Sequence, residues 1–491
     1  MTNLLRLGMV IVIAISALIL NPQPAHAFCG FYVAKADTNL YNKASQVAIA
    51  RDGNHTVLTM GNDYQGEVSD FALVVPVPTT INEDQVAVAE SVVLDRLDAF
   101  SAPRLVEYFD SDPCEIMYGF AEDELAQLSR NRVPAPASPA PESSIDLGVT
   151  IEEQFSVGEY DILILSALES DGLETWLRQN QYQLPDGASQ VLAPYIRQGM
   201  KFFVARVNLD EFDSSGYQSL RPLQITYDSP KFMLPIRLGM LNADGDQDLI
   251  IYLLSPEGRI ELTNYRTVNI PTDTDLPLFV QDDFGNVYPE MFQRRYEQEN
   301  KNVAFLEYAW DMRSCDPCSA PVLSPSELEA AGVTWLNQPS NQRRPSAGRP
   351  PSGPTPIFIS RLHVRYSRSK FPEDLIFQTT SNRQFFQGRY VTRHAFTGSL
   401  DCPARLREEY PNAEARRQLE DWTGQEYRTI VDAAEDRGQA YLRSLMARFE
   451  REAQNLARLT GRDIQTIRQR ISDEVPQPTP SPWLIRYPKN S

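Results

Sequence analysis

The chain has 491 residues, enough for two ordinary domains or one large core with appendages. It carries 65 acidic against 46 basic side chains, a formal charge of −19 that repels nucleic-acid phosphates and anionic lipid surfaces. This excess excludes the polyanion-binding classes, favours solubility and suits cationic partners or divalent metals without identifying either.

In chain order, the first feature is an export signal. Arg6 precedes an apolar run from Met9 to Leu20, and Asn21, Pro22 and Pro24 lead into Ala25-His26-Ala27. Small residues at Ala25 and Ala27 suit a signal peptidase, so cleavage is expected before Phe28, with 1–27 removed. The apolar run spans about 18 Å as helix, short of the roughly 20 residues a bilayer requires. Phe28 stands where a lipoprotein peptidase wants a small residue, so Cys29 is not expected to carry a lipid. No later run is long and apolar enough for a span, so the expected location is periplasmic or extracellular.

From Phe28 the text reads as strands, among them His55 to Met60 and Phe71 to Val75, the second stopped by Pro76 and Pro78. Residues 84–98 fit a short helix or a strand. Residues 131–144 and 337–356 are proline-rich and read as exposed loops. Tyr160 to Leu165 has the density of a buried strand. Leu173, Trp176 and Leu177 mark a short helix, and 188–197 marks another. Strand character returns at 201–207, 223–227, 249–254 and 303–310.

After Tyr410 the chain is charge-rich and glycine-poor. Leu442, Leu445, Phe449, Ala453, Leu456 and Leu459 fall at steps of three and four, which predicts one helix face. Thr460 to Asp463 resembles a capping box with the aspartate at its third position, after which Ile464, Ile467 and Ile471 restart the stripe. The expected architecture is α+β: a strand-rich body at 28–400, sandwich-like or of mixed sheets, with short helical insertions. A helical hairpin or arm at 401–475 and an irregular tail at 476–491 complete it. The arm either packs on the body or contacts a partner.

Candidate chemistry is sparse. Cys315-Asp316-Pro317-Cys318 can close a disulfide, and the same spacing permits thiol exchange where a helix amino terminus lowers the first thiol's pKa. Prolines at 321 and 325 argue against such a helix. Export makes structural pairing the expectation for Cys29, Cys114, Cys315 and Cys318, with Cys114 the preferred partner of Cys29 and Cys402 the possible unpaired thiol. His55, His363 and His394 offer no clustered spacing for zinc. Asp244, Asp246 and Asp248 hint at a calcium turn, but Gln247 replaces the required glycine and Leu253 the closing glutamate. A nucleophile elbow, a phosphate-binding loop and a zinc-protease signature are all absent from the sequence.

Phe28 to Ala34, Asn42 to Arg51, Thr56 to Gly66, Asp70 to Pro78, Ala102 to Cys114, Leu234 to Ile250 and Cys315 to Cys318 together resemble the bacterial DUF2330 family. The resemblance covers roughly 28–318, reaching toward Cys402. It implies an exported or envelope-associated protein and carries over no catalytic residue. The expected function is a non-enzymatic structural, ligand-binding or protein-binding module. An extracytoplasmic thiol-disulfide oxidoreductase using Cys315 and Cys318 is one alternative, and a hydrolase with an unrecognised site is another.

Overall fold

The computed structural model describes residues 31–34, 41–42, 45–61, 64–65, 71–115, 149–179, 187–208, 210–212, 220–241, 245–314, 316, 320–337 and 356–474. The signal segment, both proline-rich loops (but for their edges at Asn337 and Pro356) and the carboxyl tail lie outside them. The chain opens with β1 (Phe31–Ala34), β2 (Tyr41–Asn42), β3 (Ser45–Asp52), β4 (His55–Met60), β5 (Tyr64–Gln65), β6 (Phe71–Val77) and β7 (Val86–Val88). Next come α1 (Val92–Ser101), β8 (Arg104–Phe109), β9 (Val149–Val157), β10 (Tyr160–Ala167), α2 (Ser170–Gln179) and α3 (Ala188–Arg197). The strands β11 (Lys201–Val207), β12 (Leu223–Asp228), β13 (Met233–Leu234), β14 (Gln247–Ser255), β15 (Ile260–Leu262), β16 (Thr267–Asn269) and β17 (Thr274–Asp275) lead to α4 (Phe284–Gln298). After β18 (Ala304–Asp311) and α5 (Pro325–Ala330) come β19 (Phe358–Tyr366), β20 (Leu375–Thr379), β21 (Phe386–Gln387) and β22 (Arg389–His394). The end is helical: α6 (Cys402–Glu409), α7 (Ala413–Thr423), α8 (Tyr427–Thr460) and α9 (Ile464–Glu474).

Two large sheets pack face to face. One has the order β1-β6-β11-β10-β9, and the other runs β16-β18-β19-β14-β3-β4-β12-β7, with β21 alongside β18. Alternation within each strand separates two sets of side chains. Leu249, Ile251 and Leu253 of β14 join Val47, Ile49, Val75, Ile162, Ile164 and Phe203 between the sheets. Ile250, Tyr252 and Leu254 face the other way, onto Leu94, Leu97, Leu328 and Trp335 of the helical side. Every residue of β14 is therefore buried. The outer face of the smaller sheet is covered by α2 and α3 through Leu173, Leu177, Leu192 and Tyr195. The result is a mixed α/β assembly of several sheets between helical layers, with a terminal helical region.

The terminal helices close on the body. Leu445, Phe449, Ala453, Leu456 and Leu459 of α8, with Ile467 and Ile471 of α9, pack against Leu276, Val280, Val287, Met291 and Tyr390. No helix among the described residues is long and apolar enough to cross a membrane.

Three local expectations are corrected. β6 continues through Pro76 to Val77, where β1 has already ended at Val74 and Pro76 has only β11 as a neighbour, the margin of a sheet where proline is tolerated. Residues 84–98 hold both elements, β7 and the start of α1. Thr460 is the last residue of α8, which ends on Gly461 at φ 82°. The cap of α9 is Asp463 itself, whose carboxylate accepts from Thr466 N at 2.8 Å.

Candidate functional site

β19 reads Arg361-Leu362-His363-Val364-Arg365. Leu362 and Val364 point into the core between the sheets, and the alternation sends the three cationic side chains to the helical face. Register then selects their neighbours: Arg365 lies opposite Asp248, His363 opposite Ile250 and Arg361 opposite Tyr252 of β14. On the other flank, His363 lies opposite Phe305 and Arg361 opposite Tyr308 of β18. Glu307 is the extra residue of a bulge between Leu306 and Tyr308. A bulge re-aims side chains, and this one presents Glu307 to the same ionic face as Tyr308. The bulged carbonyl of Glu307 accepts from Gly388 N at 2.7 Å.

Glu307, buried at 1 % exposure, is fully engaged. Its Oε1 accepts from His363 Nδ1 at 2.9 Å and from the Tyr288 hydroxyl of α4, while Oε2 accepts from Arg361 Nε at 2.6 Å. His363 Nε2 donates to Asp248 Oδ1 at 2.9 Å. Arg365 closes a fork on Asp248, Nε to Oδ1 at 2.8 Å and Nη2 to Oδ2 at 2.7 Å. Arg361 Nη1 reaches Asp98 Oδ1 of α1 at 2.6 Å, which Tyr252 also meets at 2.8 Å. Phe292 of α4 stacks on the imidazole at 3.8 Å between centroids and lies under the Arg365 guanidinium at 4.8 Å.

The electrostatics follow from this wiring. Burial alone would raise the Glu307 carboxyl, but His363 and Arg361 outweigh it and hold it down at about 2. Asp248 is likewise held below the carboxylate range by His363 and Arg365, against the effect of burial. Burial depresses the His363 imidazole, yet the facing carboxylates of Glu307 and Asp248 prevail and raise it. Burial pushes the Tyr288 phenol well up, and Glu307 adds to it. At pH below the raised value of His363, both of its ring nitrogens carry protons toward carboxylates, and the ring is an imidazolium. Asp98, Asp248 and Glu307 are then matched by Arg361, His363 and Arg365. An imidazole so placed has no lone pair to serve as a base.

Of the residues singled out from sequence, Asp248 and His363 enter this net, as ion-pair partners and not as metal ligands; the others fall elsewhere. Cys29, Cys315 and Cys318 lie outside the described residues. Asp316, between the latter two, is buried and accepts from Tyr308 Oη and Gln387 Nε2, each at 2.8 Å. Cys402, expected as the spare thiol, forms a disulfide with Cys114, with Cα atoms 5.0 Å apart. This overturns Cys29 as the partner of Cys114. The physical reason is topological: β8 pairs in parallel with β22, Phe109 opposite His394, so both chains leave the sheet at one end. Each reaches its cysteine within a few residues. The calcium turn loses Asp248 to Arg365 and His363, Asp246 faces Lys301 Nζ at 3.2 Å, and Asp244 is outside the described residues. Among the described residues no group of three His, Cys, Asp or Glu side chains is arranged to hold a metal.

Sequence reasoning passed over Glu307, Arg361 and Arg365. Its available signal was the Arg-x-His-x-Arg alternation, which in a half-exposed strand is simply a solvated face. Only the cover of α4 and α1 makes it a buried ionic one.

The fold and site define a two-sheet α/β body with a closed ion-pair net beneath one helical layer. The chain belongs to the DUF2330 family, described as an uncharacterized protein conserved in bacteria, which it matches over residues 23–378. The net lies wholly within that span, whereas Cys402 and the terminal helices lie beyond it. No curated protein and no solved structure matches the chain.

Proposed function

We propose that this chain is an exported, non-enzymatic binding or scaffolding module. Its sheet body at 28–400 is the rigid frame, and its helical region at 401–475 is docked on that frame as a presenting surface. The observation that carries this reading is the saturation of the ionic net. Both oxygens of Glu307 and of Asp248 and both nitrogens of His363 are spent on one another and on fixed arginines. A catalytic group needs a coordination position that substrate can enter, and these groups are committed to holding strands and helices together.

Export is supported by the amino-terminal sequence and by the Cys114–Cys402 bridge, which suits an oxidising compartment. Edman sequencing of protein recovered outside the cytoplasm is expected to begin at Phe28. Binding is tested by photo-crosslinking in the producing cells, with a photoreactive residue at Met446 of α8, which is 61 % exposed, or at Phe385, which is 48 % exposed. The expected result is a discrete adduct of reproducible mass at one position. Uncrosslinked monomer alone at both positions would count against the module reading.

The thiol-exchange alternative requires the Cys315–Cys318 turn to open to a substrate disulfide. Asp316, between the two cysteines in sequence, is held by Tyr308 and Gln387, which supports a structural pair instead. In graded dithiol buffers, peptides carrying Cys315 and Cys318 are expected to stay unalkylated until strongly reducing conditions. Ready exchange near −200 mV, the poise of known exchange catalysts, would revive the oxidoreductase.

A further inference from the structure

A second buried acid lies apart from the net, where the terminal helices meet the body. Glu452 sits on the inner face of α8 among Phe449, Ala453 and Leu456, and it is 2 % exposed. On its own helix it faces Arg448, whose Nε lies 3.4 Å away, and the exposed Arg451. From β17 it meets the charge of Asp275, and from the chain just past β8 that of Asp110.

Other carboxylates compete for the cations nearby. Arg448 Nη1 contacts both oxygens of Asp110 at 2.8 Å, and the Tyr441 hydroxyl adds a bond of 2.7 Å to the same carboxylate. From β22, Arg393 Nε is bound to Asp275 Oδ1 at 3.0 Å. The neighbouring His394 turns its ring to Phe109 and brings Nε2 to 3.2 Å from Glu107. From α9, Arg468 is paired with Glu450. Glu452 Oε1 and Arg448 Nε, though within ion-pair distance, make no hydrogen bond to any group among the described residues. Arg448 and the part-exposed Arg393 thus serve Asp110 and Asp275, and an ionised Glu452 adds a third negative charge, with only the solvent-exposed Arg451 left to answer it. Its neutral form leaves the two inner ion pairs, Arg448 with Asp110 and Arg393 with Asp275, matched.

We infer that Glu452 is a proton-operated latch between the terminal helices and the β17-β22-β8 sheet. Protonated, it lets the carboxyl-terminal half of α8 lie flush on the body; ionised, it loosens that contact. Burial, reinforced by Asp275 and Asp110 and only partly offset by Arg448 and Arg451, pushes the carboxyl up to about 7. The sign follows from linkage. The folded site keeps its proton above 4.5, where a free glutamate has lost it, so the contact weakens as pH rises from about 4.5 to about 7 and then levels. A shift of that size changes the opening equilibrium by on the order of a hundredfold at most. Because Cys402 is bonded to Cys114, the loosened helix stays tethered and the change is reversible.

The test is hydrogen exchange by mass spectrometry on the full non-reduced chain between pH 5 and pH 8, corrected for the intrinsic pH dependence of exchange. Peptides spanning 441–460 are expected to lose tenfold to a hundredfold in protection as pH rises, while peptides spanning 188–207 hold steady. Glu452→Gln is expected to keep the 441–460 protection flat. Asp275→Asn, which removes a repelling charge, is expected to move the wild-type midpoint to lower pH. Flat wild-type protection, an unchanged pH response in Glu452→Gln, or an unmoved midpoint in Asp275→Asn would each overturn the latch.

Discussion

Glu307 shows how a single residue converts an alternating strand into a closed electrostatic unit. Replacing it with glutamine keeps its volume but leaves Arg361 and His363 facing a neutral amide in a buried site. Breaking a buried ion pair by removing one partner costs about 3–5 kcal/mol, so Glu307→Gln is expected to lower unfolding free energy by that order in urea titration. His363 sets the alkaline side. Its folded pKa is raised above 6.5, so its stabilisation is complete below that pH and is lost as pH climbs through the higher folded value. Glu307 sets the acid side: its contribution is present above 4.5 and is lost as pH falls towards about 2. Calorimetric Tm measured against pH should therefore decline on the alkaline side in the wild type, and His363→Gln should start lower and decline less. Parallel curves for the two proteins would show that the imidazole is neutral in the fold.

Among the elements, α8 owes its close approach to one small residue. A Cβ on Gly438 would lie 2.9 Å from Cys402 Sγ and 3.1 Å from the Leu400 carbonyl. In an exposed helix, glycine to alanine stabilises by about 1 kcal/mol. Here overpacking against a disulfide and a backbone carbonyl opposes that gain at about 1–3 kcal/mol, so Gly438→Ala is expected to be destabilising by thermal melt. The paired substitution Cys114→Ser, Cys402→Ser should cost about 2–4 kcal/mol through loss of the long-loop tether. The same elements show what the sequence could and could not reveal. Strands such as β4, β11 and β14 announce themselves through β-branched or dense apolar runs, and α8 through its stripe. Helix α4 is hidden by Gly285 and Pro289, two breakers that its burial of Val287, Met291 and Phe292 overrides. The Cys114–Cys402 pair and the ionic net depend on parallel pairing of β8 with β22 and on the register of β14, β18 and β19. Those pairings join residues far apart in the chain, where local periodicity is silent about partners.

For the whole molecule, the central question is whether the helices beyond residue 400 form a separable domain. The DUF2330 match ends at 378, inside β20 and before β22. That end point could suggest an independent body, yet the packing argues otherwise. Leu276, Phe279, Val280, Val287 and Tyr390 of the body share one core cluster with Leu445, Phe449, Leu456, Leu459, Ile467 and Ile471. Each such side chain stabilises by about 1.5–3 kcal/mol when fully buried, so the shared contact reaches on the order of 10 kcal/mol, comparable to a domain's entire net stability of about 5–15 kcal/mol. A chain ending at residue 400 would also expose the face of α4 and β22 and leave Cys114 without its partner. It is expected to bind a hydrophobic dye, to associate at micromolar concentration in sedimentation velocity, and to melt well below the full chain. A monomeric truncated body with an unchanged Tm would instead establish the helices as an appended domain.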